Sequence, residues 1–137
     1  MNESHPALIA ARSSWRCVQN RDKEGWLGLM ADDICIEDPI GVAATNPTGE
    51  GVRGKPAVSE FWDKNIAHSN ITIEAHESRT AGLESAHVLT LSMRFENGVT
   101  SKVRGLFAYI VNDAGQLTNL RGWWDMGDMS FEQPPAD

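Results

Sequence analysis

The chain has 137 residues, of which 41% are hydrophobic and 23% charged, with a formal net charge of −7 and a pI near 5.0. That length fits one domain, and such a domain buries roughly 68–70% of its unfolded surface, enough for a core and a modest cavity. The acidic balance and the absence of any basic run argue against nucleic acid and anionic membrane as partners, and no stretch approaches the ~18 apolar residues of a membrane-spanning helix.

In chain order, the N-terminus MNESHPALIAAR lacks the leader of a secretory signal, which points to a cytoplasmic protein. From Pro6 to Val18, Leu8, Ile9, Ala11, Trp15 and Val18 recur at helical spacing. Asp22 is a good cap for a second helix, in which Lys23 to Met30 places Trp26, Leu27 and Met30 on one side. The run ICIED then reads as a short strand ending in Asp38-Pro39, and Gly41 to Gly54 as a long loop or loose hairpin. A third helix starts near Pro56, a proline being harmless at the first helical position, and carries Val58, Phe61, Trp62 and Ile66.

The second half changes to a period of two. Ile71 and Ile73 alternate with polar residues, as do Leu89, Leu91, Met93 and Phe95. The Glu96–Gly98 and Asn112–Gly115 stretches are turn signals. Between them, the strand Val103 to Val111 is apolar on both faces, Val103, Phe107, Tyr109 and Val111 on one and Leu106, Ala108 and Ile110 on the other. One face then suits a core or a partner subunit and the other a cavity. A last strand spans Leu117 to Asp125, and residues 131–137 read as a short polar tail after one domain over 1–130. Helices followed by long antiparallel strands describe an α+β domain with helices covering one face of a curved sheet.

Several chemistries are disfavoured. Gly49, Gly54 and Lys55 begin a phosphate-loop pattern, but Pro56 stands where a magnesium-binding hydroxyl is required. The four histidines have no ligand spacing with each other or with Cys17 and Cys35, so neither metal nor cofactor is expected. Two cysteines are too few for a disulfide scaffold and read as buried free thiols. No Gly-x-Ser-x-Gly elbow exists.

The segment DKEGWLGLMADDICIEDPIG (Asp22–Gly41) resembles the same region of the bacterial ketosteroid isomerases, with its helix leading into an EDP motif. Those enzymes belong to the nuclear-transport-factor-2-like superfamily, together with scytalone dehydratase, limonene epoxide hydrolase and polyketide cyclases. FWDKNI (Phe61–Ile66), NDAGQL (Asn112–Leu117) and LRGWWD (Leu120–Asp125) extend the likeness to the third helix, last hairpin and final strand. The resemblance implies a cone-shaped α+β barrel, its curved antiparallel or mixed sheet covered by about three N-terminal helices, enclosing an apolar pocket, in a homodimer. It also implies a small apolar ligand such as a steroid or polyketide.

By the same resemblance, Asp38 is the base that removes a proton alpha to a steroid ketone, a scheme that serves as a standard case of tuned carboxyl groups. Taken alone, Asp38-Pro39 reads first as the start of a turn, the commoner role of such a pair. The family's two oxyanion donors do not carry over, because their positions hold Ser14 and Phe107. Tyr109, Trp124 and Ser14 are the candidate replacements. Phe107, Trp62, Trp15, Met30, Val103 and Leu120 are the candidate substrate-binding residues. A hydrolase, dehydratase or cyclase on the same scaffold, or a binder without turnover, remain the alternatives.

Overall fold

The computed structural model describes residues 1–134. Helix α1 (Pro6–Gln19) starts with Pro6 at its first position and His5 as its cap. The His5 Nδ1 accepts the Ala7 N–H, and Nε2 meets the Gly82 carbonyl at 2.9 Å, which fastens the helix start to a distant turn. Its buried face is Ala7, Leu8, Ala10, Ala11 and Ser14. Ile9, expected on that face, is turned to solvent, and the small alanines are what let the helix lie close on the sheet.

Helix α2 (Lys23–Gly28) is capped by the Asp22 carboxylate, which accepts the Gly25 N–H at 2.9 Å. It stops before Met30, which opens strand β1 (Met30–Glu37) instead of closing the helix. A two-residue strand, β2 (Val52–Arg53), follows the loop, and α3 (Lys55–Asn65) is the third helix. Then come β3 (Ser69–Ala81), β4 (Glu84–Phe95), β5 (Thr100–Val111) and β6 (Leu117–Trp123). A 3-10 turn at Met126–Asp128 leads into β7 (Met129–Glu132). The polar tail expected from residue 131 therefore begins with two residues of a strand.

The seven strands form one curved, unclosed mixed sheet in the order β2-β1-β6-β5-β4-β3, with β7 pairing β5. All pairings are antiparallel except β1 with β6. The parallel pairing matters for the site, because it sets Glu37 beside Arg121 and carries the chain on so that the Ile40 N–H reaches the Gly122 carbonyl at 2.9 Å. β5 changes partners along its length. Its C-terminal half pairs with β6 from Leu106 on, and its N-terminal half with β7 up to Val103. Trp124 lies in the short crossing between those two strands. The three helices cover the concave face, and the apolar core lies between them and β1, β4, β5 and β6. No helix among the described residues is long and apolar enough to cross a membrane.

Candidate active site

Alternation along β1 points Ile34, Ile36 and then Asp38 toward the concave side, while Glu37 faces the other way and pairs with Arg121 at 3.0 Å. The Asp38–Pro39 peptide is cis. Beyond it the chain is tied down: the Thr45 hydroxyl donates to the Asp38 carbonyl, and the buried Asn46 amide donates to the Pro39 carbonyl at 3.1 Å. Asp38 is thus both the start of a turn and a side chain aimed inward.

The side chain enters a cavity of about 110 Å³ lined by residues of all three helices and of strands β1 and β3 to β7. One water needs about 10–15 Å³ by this measure, so there is room for a small organic molecule. Among the described residues lining the cavity, Asp38 is the only charged one; the rest are apolar or aromatic side chains with Ser14, Asn65 and Tyr109 as the other polar members. Asp38 has one hydrogen-bond donor, the Trp124 indole N–H, at 2.6 Å from Oδ1. Burial pushes its carboxyl above the ordinary range, and the Trp124 N–H only partly offsets this.

Gly122 makes that pairing possible. A Cβ there would stand 2.8 Å from Asp38 Oδ1 and 3.1 Å from both the Phe107 ring and the Trp124 nitrogen. Phe107 lies directly across from Gly122 on β5, so its ring fills the space above the missing side chain.

Two hydroxyls also line the cavity. The Tyr109 hydroxyl accepts the Trp15 indole N–H at 2.9 Å, and the Ser14 hydroxyl accepts the Trp26 indole N–H at 3.0 Å. Burial, with the nearby Asp38 adding to it, raises the Tyr109 proton-loss equilibrium well above its ordinary value against the opposing pull of Trp15. Tyr109 is therefore a neutral phenol. Behind it sits His87, buried and held neutral, its pKa lowered to about 4 first by desolvation and then by Arg12. Ser78 contacts its Nδ1 and Ser85 its Nε2, each at 2.7 Å.

Of the residues expected from the sequence, Asp38, Ser14, Tyr109, Trp124, Trp15, Phe107, Val103 and Leu120 are gathered on this one cavity. Two are not. Met30 is buried at the far end of β1 from Asp38, paired with Leu117. Trp62 packs behind the wall against Trp26, ring centroids 5.1 Å apart, because a helix turns about 100° per residue and Phe61 takes the inward position. Trp124 is on the cavity but its N–H is committed to Asp38 and does not point into open space. Asp125, which alternation aims outward, is exposed and caps the 3-10 turn.

Sequence reasoning missed Trp26, Asn65, Ile66 and Met129 on the wall, together with Asn46 beneath the loop. For Asn65 a signal existed, since it follows Phe61 by four residues on one helical face. Met129 had none, because it depends on β7 folding back onto β5.

A curved sheet backed by three helices, closed over an apolar hollow with one acid inside, defines a small-molecule pocket domain. The family pattern of the Nuclear transport factor 2 (NTF2) domain matches residues 7–131, and the chain belongs to that family. Among solved structures it is similar to a Delta 5-3-ketosteroid isomerase from Mycobacterium sp., at 49% identity over 93% of this chain and 99% of the other, with a TM-score of 0.91. It is similar also to RV0760c from Mycobacterium tuberculosis in complex with estradiol-17beta-hemisuccinate, at 52% identity over 93% of this chain and 100% of that one, with a TM-score of 0.90. A computationally designed 17-OHP binder is 50% identical over 94% of this chain and 100% of its own length, with a TM-score of 0.92.

Proposed function

We propose that this protein is a ketosteroid isomerase-like enzyme that moves a proton alpha to the ketone of a bulky apolar substrate, with Asp38 as the general base. The observation that carries this reading is a lone carboxylate inside an apolar cavity, held by a single donor, in a chain 49% identical to a Delta 5-3-ketosteroid isomerase.

The step is a proton shuttle. The Asp38 carboxylate takes a proton from the carbon between the ketone and the double bond, and the C–H electron pair moves into the carbon framework as the carbonyl pair shifts to oxygen. The resulting dienolate then takes the same proton back from the Asp38 carboxylic acid two carbons further along, regenerating the ketone in conjugation. Asp38 ends as it began. Apolar walls suit this chemistry: they keep water from the carboxylate and bring its pKa toward that of a working base. The pocket's other contribution is to receive the charge on oxygen, and Tyr109 and Ser14 are the hydroxyls available for it.

Conversion of a Δ5-3-ketosteroid, followed by conjugated-enone absorbance, tests this directly. Asp38→Asn is expected to lower the rate by about 10²–10⁴-fold, the usual worth of a general base. Equal rates in the two proteins would eliminate the assignment. A hydrolase, dehydratase or cyclase is less well supported, because among the described residues the cavity lining offers no second acid or arginine to clamp a water beside Asp38. A binder without turnover is favoured by one feature, the ring of Phe107 where the isomerases carry a donor. Tight steroid binding with no conversion in either protein would select it.

The homodimer implied by the family resemblance is part of the same proposal. The convex face of β5 and β6 exposes Leu106 and Trp123, with Met126 and Phe131 nearby in the chain's last turn and strand. Sedimentation equilibrium is expected to give twice the 15.1 kDa chain mass, and a single-chain mass would contradict it.

A further inference from the structure

We infer that a polar hollow at the far end of the cavity from Asp38 seats an oxyanion carried by the cavity's ligand, so that the ligand class is an elongated apolar molecule ending in a group such as a carboxylate. The inference rests on the cavity being a ligand site, as proposed above, but not on Asp38 acting as a base.

Asp38 lies against Gly122, whose partner on β5 is Phe107, and Phe107 pairs in turn with His87 of β4. From there the cavity lining runs along β4 and β3 away from the acid, through Leu89 and the pairs Leu91–Ile73 and Met93–Ile71. By the same alternation the next inward pair is Phe95–Ser69. These two residues do not line the cavity. They line a second hollow, of about 220 Å³, whose wall is mostly polar. Leu89 and Phe95 are separated by roughly 20 Å of strand at ~3.4 Å per residue, so only a long ligand would reach from one hollow into the other.

The second hollow gathers cations in a chain whose net charge is −7. Arg94 and Asn70 are the neighbouring strand pair, and they line it together with Arg21 and His68. β3 is the edge strand of the sheet, which lets side chains from both of its faces border one hollow. One carboxylate, that of Glu96, also lines it, and among the described residues neither arginine forms an ion pair with it or with any other acid.

Arg21 stands just past α1 with a φ of 58°, in the left-handed conformation that glycine usually supplies at a helix end. An arginine there is strained, yet its guanidinium is held in place. It donates to the Ala67 carbonyl and to Asn70 Oδ1, the latter at 3.1 Å. Both acceptors are neutral, so the charge is fixed but uncompensated, and the rest of its fork of donors is unspent. Ser69 adds an independent sign. It is 5% exposed, and its buried hydroxyl has no hydrogen-bond partner among the described residues, an uncommon state for a buried polar group. Two guanidinium groups and a spare hydroxyl on one wall match the acceptor oxygens of a carboxylate or similar oxyanion.

The experiment follows binding by the fluorescence of the wall indoles Trp15, Trp26 and Trp124. The probes are 3-oxochol-4-en-24-oic acid, a steroid ketone with a carboxylate ending its side chain, and its primary amide, which has the same shape and no charge. At low salt the acid is expected to bind about 10–100-fold tighter, the worth of hydrogen bonds to a charged group. That advantage should shrink as added salt screens the arginines. Arg94→Gln and Arg21→Gly should each bring the acid close to the amide and leave amide affinity unchanged. Glycine suits the left-handed backbone, so the second variant keeps the helix end. Inorganic phosphate is expected to compete with the acid and to leave amide binding as it was.

Equal affinity for acid and amide, an advantage that survives both substitutions, or phosphate and acid bound together without competition would overturn the inference. Failure of both steroids to bind would strike the cavity reading itself, and this inference with it. No arm depends on turnover, so an inactive protein that binds the acid as described leaves the inference standing.

Discussion

At Gly122 the site depends on an atom that is missing. The carboxylate of Asp38, the ring of Phe107 and the indole of Trp124 converge on the space a Cβ would take, with clearances of 2.8 to 3.1 Å. Substituting Gly122→Ala is expected to push Asp38 off its Trp124 donor and lower the isomerisation rate by about 10²-fold, a usual result of a small misplacement in the reacting geometry. Cooperative thermal unfolding, measured beside the rate, shows whether the fold survives; a well-folded variant with the parent rate would contradict the geometry. At this scale the sequence is legible only in part. Asp38 could be read from EDP and its alternation with Ile34 and Ile36. The direction in which Trp124 spends its N–H could not, because that follows from how the chain crosses from β6 to β7. Likewise the pairing of Ser14 with Trp26 joins two helices, and no spacing rule reports it.

At the scale of elements, hydrophobic period carried most of the reading. Alternation is plain from Leu89 to Phe95 in β4 and brief at Ile71 and Ile73 in β3, while β5 is legible as a strand from its run of apolar residues on both faces. Short elements are less legible: the helical spacing of Met30 with Trp26 and Leu27 runs two residues past the end of α2, and β2 and β7 owe their existence to pairing partners distant in sequence. The Gly41–Gly54 segment, legible only as a loop, has a definite internal anchor. Asn46 is buried, donates to the Pro39 carbonyl and accepts the Gly51 N–H at 2.9 Å, closing both ends on one amide. Replacing Asn46→Ala leaves those two backbone groups unpaired, and should cost about 1–3 kcal/mol in urea unfolding. A loss below a few tenths of a kcal/mol would mean that the loop is held some other way.

For the molecule as a whole, the helices and sheet shelter two titratable groups whose linkages run in opposite senses. His87 is neutral in the folded state, its pKa lowered to about 4, so its contribution is full above 6.5 and is lost as pH falls toward 4. Asp38 is the reverse. An acid whose folded pKa is raised contributes stability below its ordinary pKa and loses that contribution as pH rises through the raised value, so the ionised carboxylate costs stability at neutral pH. Such a group, with one hydrogen bond and no counter-charge on the cavity wall among the described residues, costs the fold stability at neutral pH, which is the trade that the proposed base role would require.

The titration of Asp38 itself bears most directly on this account. Carboxyl ¹³C chemical shifts, with the Asp38 signal identified by its loss in Asp38→Asn, should give a midpoint clearly above the ~3.9 of an unperturbed aspartate. A midpoint at or below that value would mean a solvated or charge-paired carboxylate, and would contradict the proposed sheltered base.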